Sequence, residues 1–165
     1  VSTARIHAIV LALLGANVAV YLYRGRFSEV LDAAAWFALI AAFSLAAFAP
    51  AFAQRWRQAL ALLRLAAGTA VLWAAIHFIT ESEWLDAVNA WLWIAVVVAL
   101  EFELRNGASR RLLRSFTLLL YAALLFIALL WLAGGDWFEA YDALLWICAF
   151  VVVERGLGQE RSVTQ

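Results

Sequence analysis

The sequence predicts an all-α integral membrane protein, with six transmembrane helices arranged as three tandem helical hairpins. Three observations carry this reading. Hydrophobic residues fill 67% of the 165 positions, against ~45–50% in a soluble domain, and a water-soluble chain of this size has too much surface to hide that fraction. They fall into six runs, each close to the ~20 residues that carry a helix across ~30 Å of hydrocarbon. The charged residues, 15% of the chain, gather between the runs instead of spreading along them.

Taken in order, the first span covers residues 6–23 and ends at Arg24 and Arg26. It is longer than a signal-peptide core, and Tyr21-Leu22-Tyr23-Arg24 is a poor exit for a signal peptidase, so it reads as a true span. The second, 30–49, stops at Pro50, the only proline, where a missing N–H suits a helix that is ending. The third, 58–79, contains Arg64 and His77, and the fourth, 84–100, closes on Glu101 and Glu103. The fifth, 115–133, runs into Gly134-Gly135, and the sixth, 137–153, into Glu154-Arg155. The hairpins then occupy residues 1–54, 55–107 and 108–156, with a polar tail over 157–165. Alanine and leucine dominate and favour helix. The alternating ~10-residue segments of a membrane barrel are absent from the sequence.

Arginine distribution sets the orientation, because short cytoplasmic loops retain positive charge. All twelve cations are arginine. One side of the six-span scheme collects Arg5, Arg55, Arg57, Arg64, Arg105, Arg110, Arg111, Arg114, Arg155 and Arg161, and the other only Arg24 and Arg26. Both termini are therefore expected in the cytoplasm, with the chain in a bacterial inner (plasma) membrane. The outer loops, 24–29, 80–83 and 134–136, are the tight ones. Trp84 and Trp137 follow two of them, at the level where amphipathic rings prefer to sit.

An internal repeat underlies the hairpins. Residues 83–101 and 136–154 agree at eight of nineteen places, among them Trp84/Trp137, Ala87/Ala140, Trp93/Trp146, Ile94/Ile147 and Glu101/Glu154. Residues 29–47 fit more loosely, through Glu29, Leu31, Asp32, Ala33, Ile40 and Ala41. A repeat of roughly 53 residues with unchanged orientation relates its copies by an axis along the membrane normal.

Composition also excludes. Formal net charge is zero, so no basic field points to nucleic acid. The single cysteine, Cys148, lies inside the last span and leaves neither an intramolecular disulfide nor a thiolate metal cluster. No His-Glu-x-x-His, Gly-x-Ser-x-Gly or glycine-rich phosphate loop is present, so no catalytic residue and no metal ligand set is assigned. Glycine or proline breaks at mid-span, which mark many transporter sites, are confined to Gly15 and Gly68.

Three constellations remain. The returning helices open with acids, and Asp32, Asp86, Asn89, Glu139 and Asp142 form a candidate cation or proton site if their faces converge. The three-residue spacings Asp86/Asn89 and Glu139/Asp142 put each pair on one helix face. The competing reading is capping, since acids stabilise helix N-termini, and Thr80/Glu83 and Asp136/Glu139 have capping-box-like spacing. On the cytoplasmic side Arg64 and Arg114 are expected to pair with Glu101 and Glu154 as clamps between hairpins, because charges at that depth pair or snorkel. His77 with Trp91, Trp93 and Trp146 is the candidate contact for a pigment, haem or quinone, by imidazole ligation or aromatic stacking. Packing is the commoner role of such rings. His7 and His77 fall in opposite leaflets and so do not share one haem.

The reading this favours is a non-catalytic inner-membrane protein, an accessory or structural subunit that packs against partner helices, with bound lipid and no cofactor required. The alternatives are a small cation or proton channel or transporter that uses the outer acids, and a pigment-, quinone- or lipid-binding membrane module.

Overall fold

The computed structural model describes residues 3–105 and 110–163. Among them are seven helices: α1 (Thr3–Arg24), α2 (Phe27–Phe48), α3 (Pro50–Arg55), α4 (Arg57–Thr80), α5 (Trp84–Arg105), α6 (Arg110–Gly134) and α7 (Trp137–Val163). Strands are absent among the described residues. Three stretches are long and apolar enough to cross a membrane: Phe27–Leu45, Arg57–Thr80 and Arg114–Gly134. Ala8–Arg24 and Trp84–Ala99 are shorter apolar helices.

Each of the six expected spans falls on a helix, α1, α2, α4, α5, α6 or α7, of which α2, α4 and α6 hold the three membrane-length stretches, and two features differ. Residues 50–55, expected as loop, form the extra helix α3. Proline at its first position needs no N–H there. The residue ahead of a proline is pushed out of the α region, and Ala49 accordingly takes φ −136°, ψ 60°, which ends α2. The second difference is the tail, where α7 continues through the expected boundary at 157 to Val163, with no proline to stop it.

The chain forms two compact units, residues 11–87 and residues 1–10 with 88–165, the division falling inside α1 and α5. In the first unit α2 packs antiparallel on α4, with α3 as the return. Ala33, Ala35, Trp36, Ile40 and Ala42 of α2 are buried, as are Leu60, Ala67, Val71, Ala74, Ala75 and Phe78 of α4. Small residues on such faces let backbones approach closely, which matters where lipid removes the hydrophobic drive for helices to associate. Gly15 of α1 sits against Phe37 of α2, where an added Cβ meets the ring at 3.4 Å.

In the second unit α6 packs on α7. Ile127, Ala128 and Trp131 of α6 cluster with Ala140 and Ala143 of α7, and Leu92 of α5 rests on them. Trp93 adds an aromatic layer, its ring 4.9 Å from Phe150 and 6.4 Å, edge-on, from Tyr121.

The turns after α4 and α6 are built alike. Glu83 N–H donates to Phe78 O and Ser82 N–H to Ile79 O, while Asp136 N–H donates to Trp131 O and Gly135 N–H to Leu132 O. Each is a Schellman closure around a left-handed residue, Ser82 at φ 61° and Gly135 at φ 91°. The α1–α2 turn is different. Gly25 N–H donates back to Tyr21 O, and Arg26 sits extended as the N-cap of α2.

Gly25 and Gly68 make a matched pair for substitution. A Cβ at Gly25 falls 2.8 Å from the Tyr21 carbonyl oxygen, whereas at Gly68 nothing lies within 4 Å. Gly25→Ala is expected to lower the melting temperature in detergent. Gly68→Ala is expected to raise it, by relieving a mid-helix glycine that costs roughly 0.5–1 kcal/mol relative to alanine. Equal shifts for the two would contradict the crowding at Gly25.

Candidate functional site

A polar constellation lies where the α1–α2 turn meets the α4–α5 turn, within the first unit. It begins with Arg26. As the N-cap of α2, its backbone N–H donates to Glu29 Oε2 at 3.0 Å, the return half of a capping box. Its guanidinium donates Nε–H and Nη2–H to Glu29 Oε1, at 2.9 and 2.7 Å, and reaches across to pair with Glu83 through Nη1. One planar fork therefore serves two carboxylates from different turns, a geometry suited to arginine and not to lysine. Glu83, then Glu29, raise the affinity of Arg26 for its proton, so its charge is permanent.

The second bond is deeper. Ser28, 1% exposed, donates its hydroxyl to Glu81 Oε2 at 2.7 Å. That bond first, and the neighbouring His77 second, hold the Glu81 carboxyl below its ordinary range. His77 Nδ1 stands 3.4 Å from the same oxygen, long for a hydrogen bond, and the two form an ion pair only when the imidazole is protonated. The His77 ring stacks on Trp73 at 4.5 Å, and Phe27 meets Trp73 edge-on at 5.9 Å. Thr80 turns its hydroxyl back to His77 O.

This arrangement corrects one expectation: Thr80 and Glu83 form no capping box, because Thr80 bonds its own helix and Glu83 is taken by Arg26. Arg64 donates Nε–H to Leu60 O at 3.2 Å, and its guanidinium lies 5.6 Å from the centroid of the Phe43 ring on α2. Its described partner across the helix pair is thus an aromatic face, through a cation–π contact. Glu101 and Glu154 lie outside the described side chains, as does His7, and Arg114 is exposed.

The expected acids are divided between the units. Asp32 and Asp86 belong to the first, Asn89, Glu139 and Asp142 to the second. All five are half-buried. Asp32, Asp86, Glu139 and Asp142 each hold polar or electrostatic contacts, whereas Asn89 Oδ1 is buried with no hydrogen-bond partner among the described residues. The expected ligand-contact residues divide as well. His77 belongs to the first unit, and Trp91, Trp93 and Trp146 to the second, where Trp93 and Trp146 are buried in the core beside Phe150 and Trp91 is exposed. Among the described residues no group of three or more His, Cys, Asp or Glu is placed to hold a metal ion.

Sequence reasoning missed Ser28 and Glu81 and gave Arg26 only a topological role. A signal was present: the segment between the first two apolar runs carries Arg24 and Arg26, and the one between the third and fourth carries Glu81 and Glu83, a charge complementarity that predicts loop-to-loop pairing. No family model matches the chain, and neither a curated protein nor a solved structure does.

Two measurements test the constellation. Ser28→Ala removes a buried donor to a charged acceptor, expected to cost about 1.5–3 kcal/mol. Glu83→Gln weakens an exposed pair worth about 0.2–1 kcal/mol. Chemical unfolding in detergent should therefore rank Ser28→Ala as the more damaging, and the reverse order would contradict the assignment. Because the Glu81 carboxyl is depressed in the folded state, its contribution is complete above the ordinary carboxylate value of ~4.3 and is lost as pH falls through the lower folded value. The melting temperature of the wild type is expected to drop more steeply on acidification than that of Glu81→Gln.

Proposed function

We propose that the chain is a non-catalytic polytopic membrane protein that works by packing against other membrane subunits. In this reading its six long helices cross the bacterial inner membrane as three hairpins, with both termini in the cytoplasm. The observation that carries it is the use made of polar groups. Arg26, Glu29, Glu83, Ser28 and Glu81 are spent on one another, tying the α1–α2 turn to the α4–α5 turn. The lateral faces meanwhile present large apolar side chains. Leu62, Leu65, Leu72, Ile76 and Ile79 form one exposed stripe along α4, and Leu118, Leu125, Leu129 and Leu132 another along α6, each at helical spacing. The shared Schellman turns at Ser82 and Gly135 support the hairpin repeat, since they fall at the same offset as Trp84 and Trp137.

Purification at native expression in gentle detergent, with mass spectrometry and an absorbance scan on one eluate, tests the proposal. Stoichiometric co-purification of other membrane subunits is expected, and a partnerless protein would overturn it. A visible absorbance band would instead favour a pigment or haem near His77.

A second reading, cation or proton conduction, draws on the buried Asn89 carbonyl, which has no hydrogen-bond partner among the described residues and is an acceptor of the kind that calls for an explanation. It predicts that Asn89→Ala and Asp142→Ala each abolish flux in proteoliposomes while leaving assembly intact. The subunit reading predicts no flux in any of the three proteins.

A further inference from the structure

The corner between α2 and α4 points to a lipid. From Ala51 to Ala59 every residue except Ala53 is exposed, and the corner joins two stretches long and apolar enough to cross a membrane, Phe27–Leu45 and Arg57–Thr80. Phe52 and Arg55 of α3, and Trp56 at its C-cap, fall at i, i+3 and i+4, the spacing of one helix face. Phe52 and Trp56 are each 49% exposed, with ring centroids 6.3 Å apart. Arg57 follows directly, across the break at Trp56 (φ −106°, ψ 22°). No carboxylate occurs in the sequence between Asp32 and Glu81. Neither Arg55 nor Arg57 has an ion-pair partner among the described residues, in contrast to Arg26, which is shared by two acids, and Arg64, which lies over a ring. Exposed rings of this kind settle at the boundary between headgroups and acyl chains. Planar guanidiniums bind phosphate oxygens through paired N–H donors.

We propose that the α3 corner is a binding site for the headgroup of an anionic phospholipid. Arg55 and Arg57 hold its phosphate, while Phe52 and Trp56 rest on the start of its acyl chains. The proposal rests on the reading that α2 and α4 cross the bilayer. It adds a defined lipid class at a defined place, and it commits the pair of cations with no carboxylate partner to one ligand.

The test is native mass spectrometry of the whole chain released from nanodiscs of equal phosphatidylcholine and phosphatidylglycerol. The wild type is expected to retain one phosphatidylglycerol in preference to phosphatidylcholine. The double variant Arg55→Gln/Arg57→Gln is expected to lose that preference by about 30-fold, the effect of two cations at a membrane surface. Arg114→Gln, at an exposed arginine elsewhere, is expected to keep it. A wild type without the preference overturns the proposal, as does a double variant that retains it or an Arg114→Gln protein that loses it equally. Flotation with neutral phosphatidylcholine vesicles separates the two levels: a chain that does not float with them contradicts membrane insertion itself, whereas one that floats but shows no headgroup preference contradicts only the lipid site.

Discussion

Two bonds between distant turns organise the first unit: the Ser28 hydroxyl on the Glu81 carboxylate, and the Arg26 fork shared by Glu29 and Glu83. In an apolar solvent one hydrocarbon face has little reason to prefer another, so helix pairing depends on close fit and on the few polar groups that must find each other. Alanine supplies the fit between α2 and α4, but an alanine face is smooth and specifies register weakly. The polar bonds supply what the alanines lack. Ser28 with Glu81 at one end of the pair, and Arg64 over Phe43 toward the other, are consistent with a single antiparallel alignment of α2 and α4. Displacing α4 by one turn relative to α2 would strand the buried Ser28 hydroxyl, and such a loss costs more than the bond returns when it forms.

The second unit solves the same problem with shape. Trp131, Trp93, Trp146 and Phe150 are large and rigid, and the tilted contacts of Phe150 with Trp93 and Trp146, with the edge-on contact of Trp93 and Tyr121, allow few alternative packings. Asymmetric rings specify alignment there, where the first unit uses charge. The α4–α5 and α6–α7 turns are nonetheless closed by the same hydrogen-bond pattern. Only the residue at the left-handed position differs: glycine adopts that conformation freely at 135, while Ser82 adopts it against the crowding of its Cβ.

What the sequence made legible follows from which physics is local. Helix length and composition act within a segment, so the boundaries near Arg24, Thr80, Trp84 and Trp137 could be read to within a few residues. Pro50 correctly marked the end of α2 but concealed α3, because a proline that ends one helix is equally suited to begin the next. The pairing of Arg26 with Glu83 and of Ser28 with Glu81 spans more than fifty residues, and no periodicity reports such a distance. Capping, the competing reading of the acids at the helix starts, is local in the same way: Glu29 does accept the Arg26 N–H, while Glu83 is drawn to Arg26 in a distant turn. Trp93 and Trp146 looked equally suited to a ligand or a core, and only burial separates the two.

The fastening of α2 to α4 at one end has a mechanical consequence. The two helices have 22 and 24 residues, roughly 33 and 36 Å at 1.5 Å per residue, and so are nearly equal in length. Their ends are held together at Ser28 and Glu81, while at the other end the chain returns through α3. In a bilayer thinner than the pair, mismatch would be met by tilt or by local thickening of the lipid. The two helices would then tilt together about the fastened end, as a lever with a fixed fulcrum.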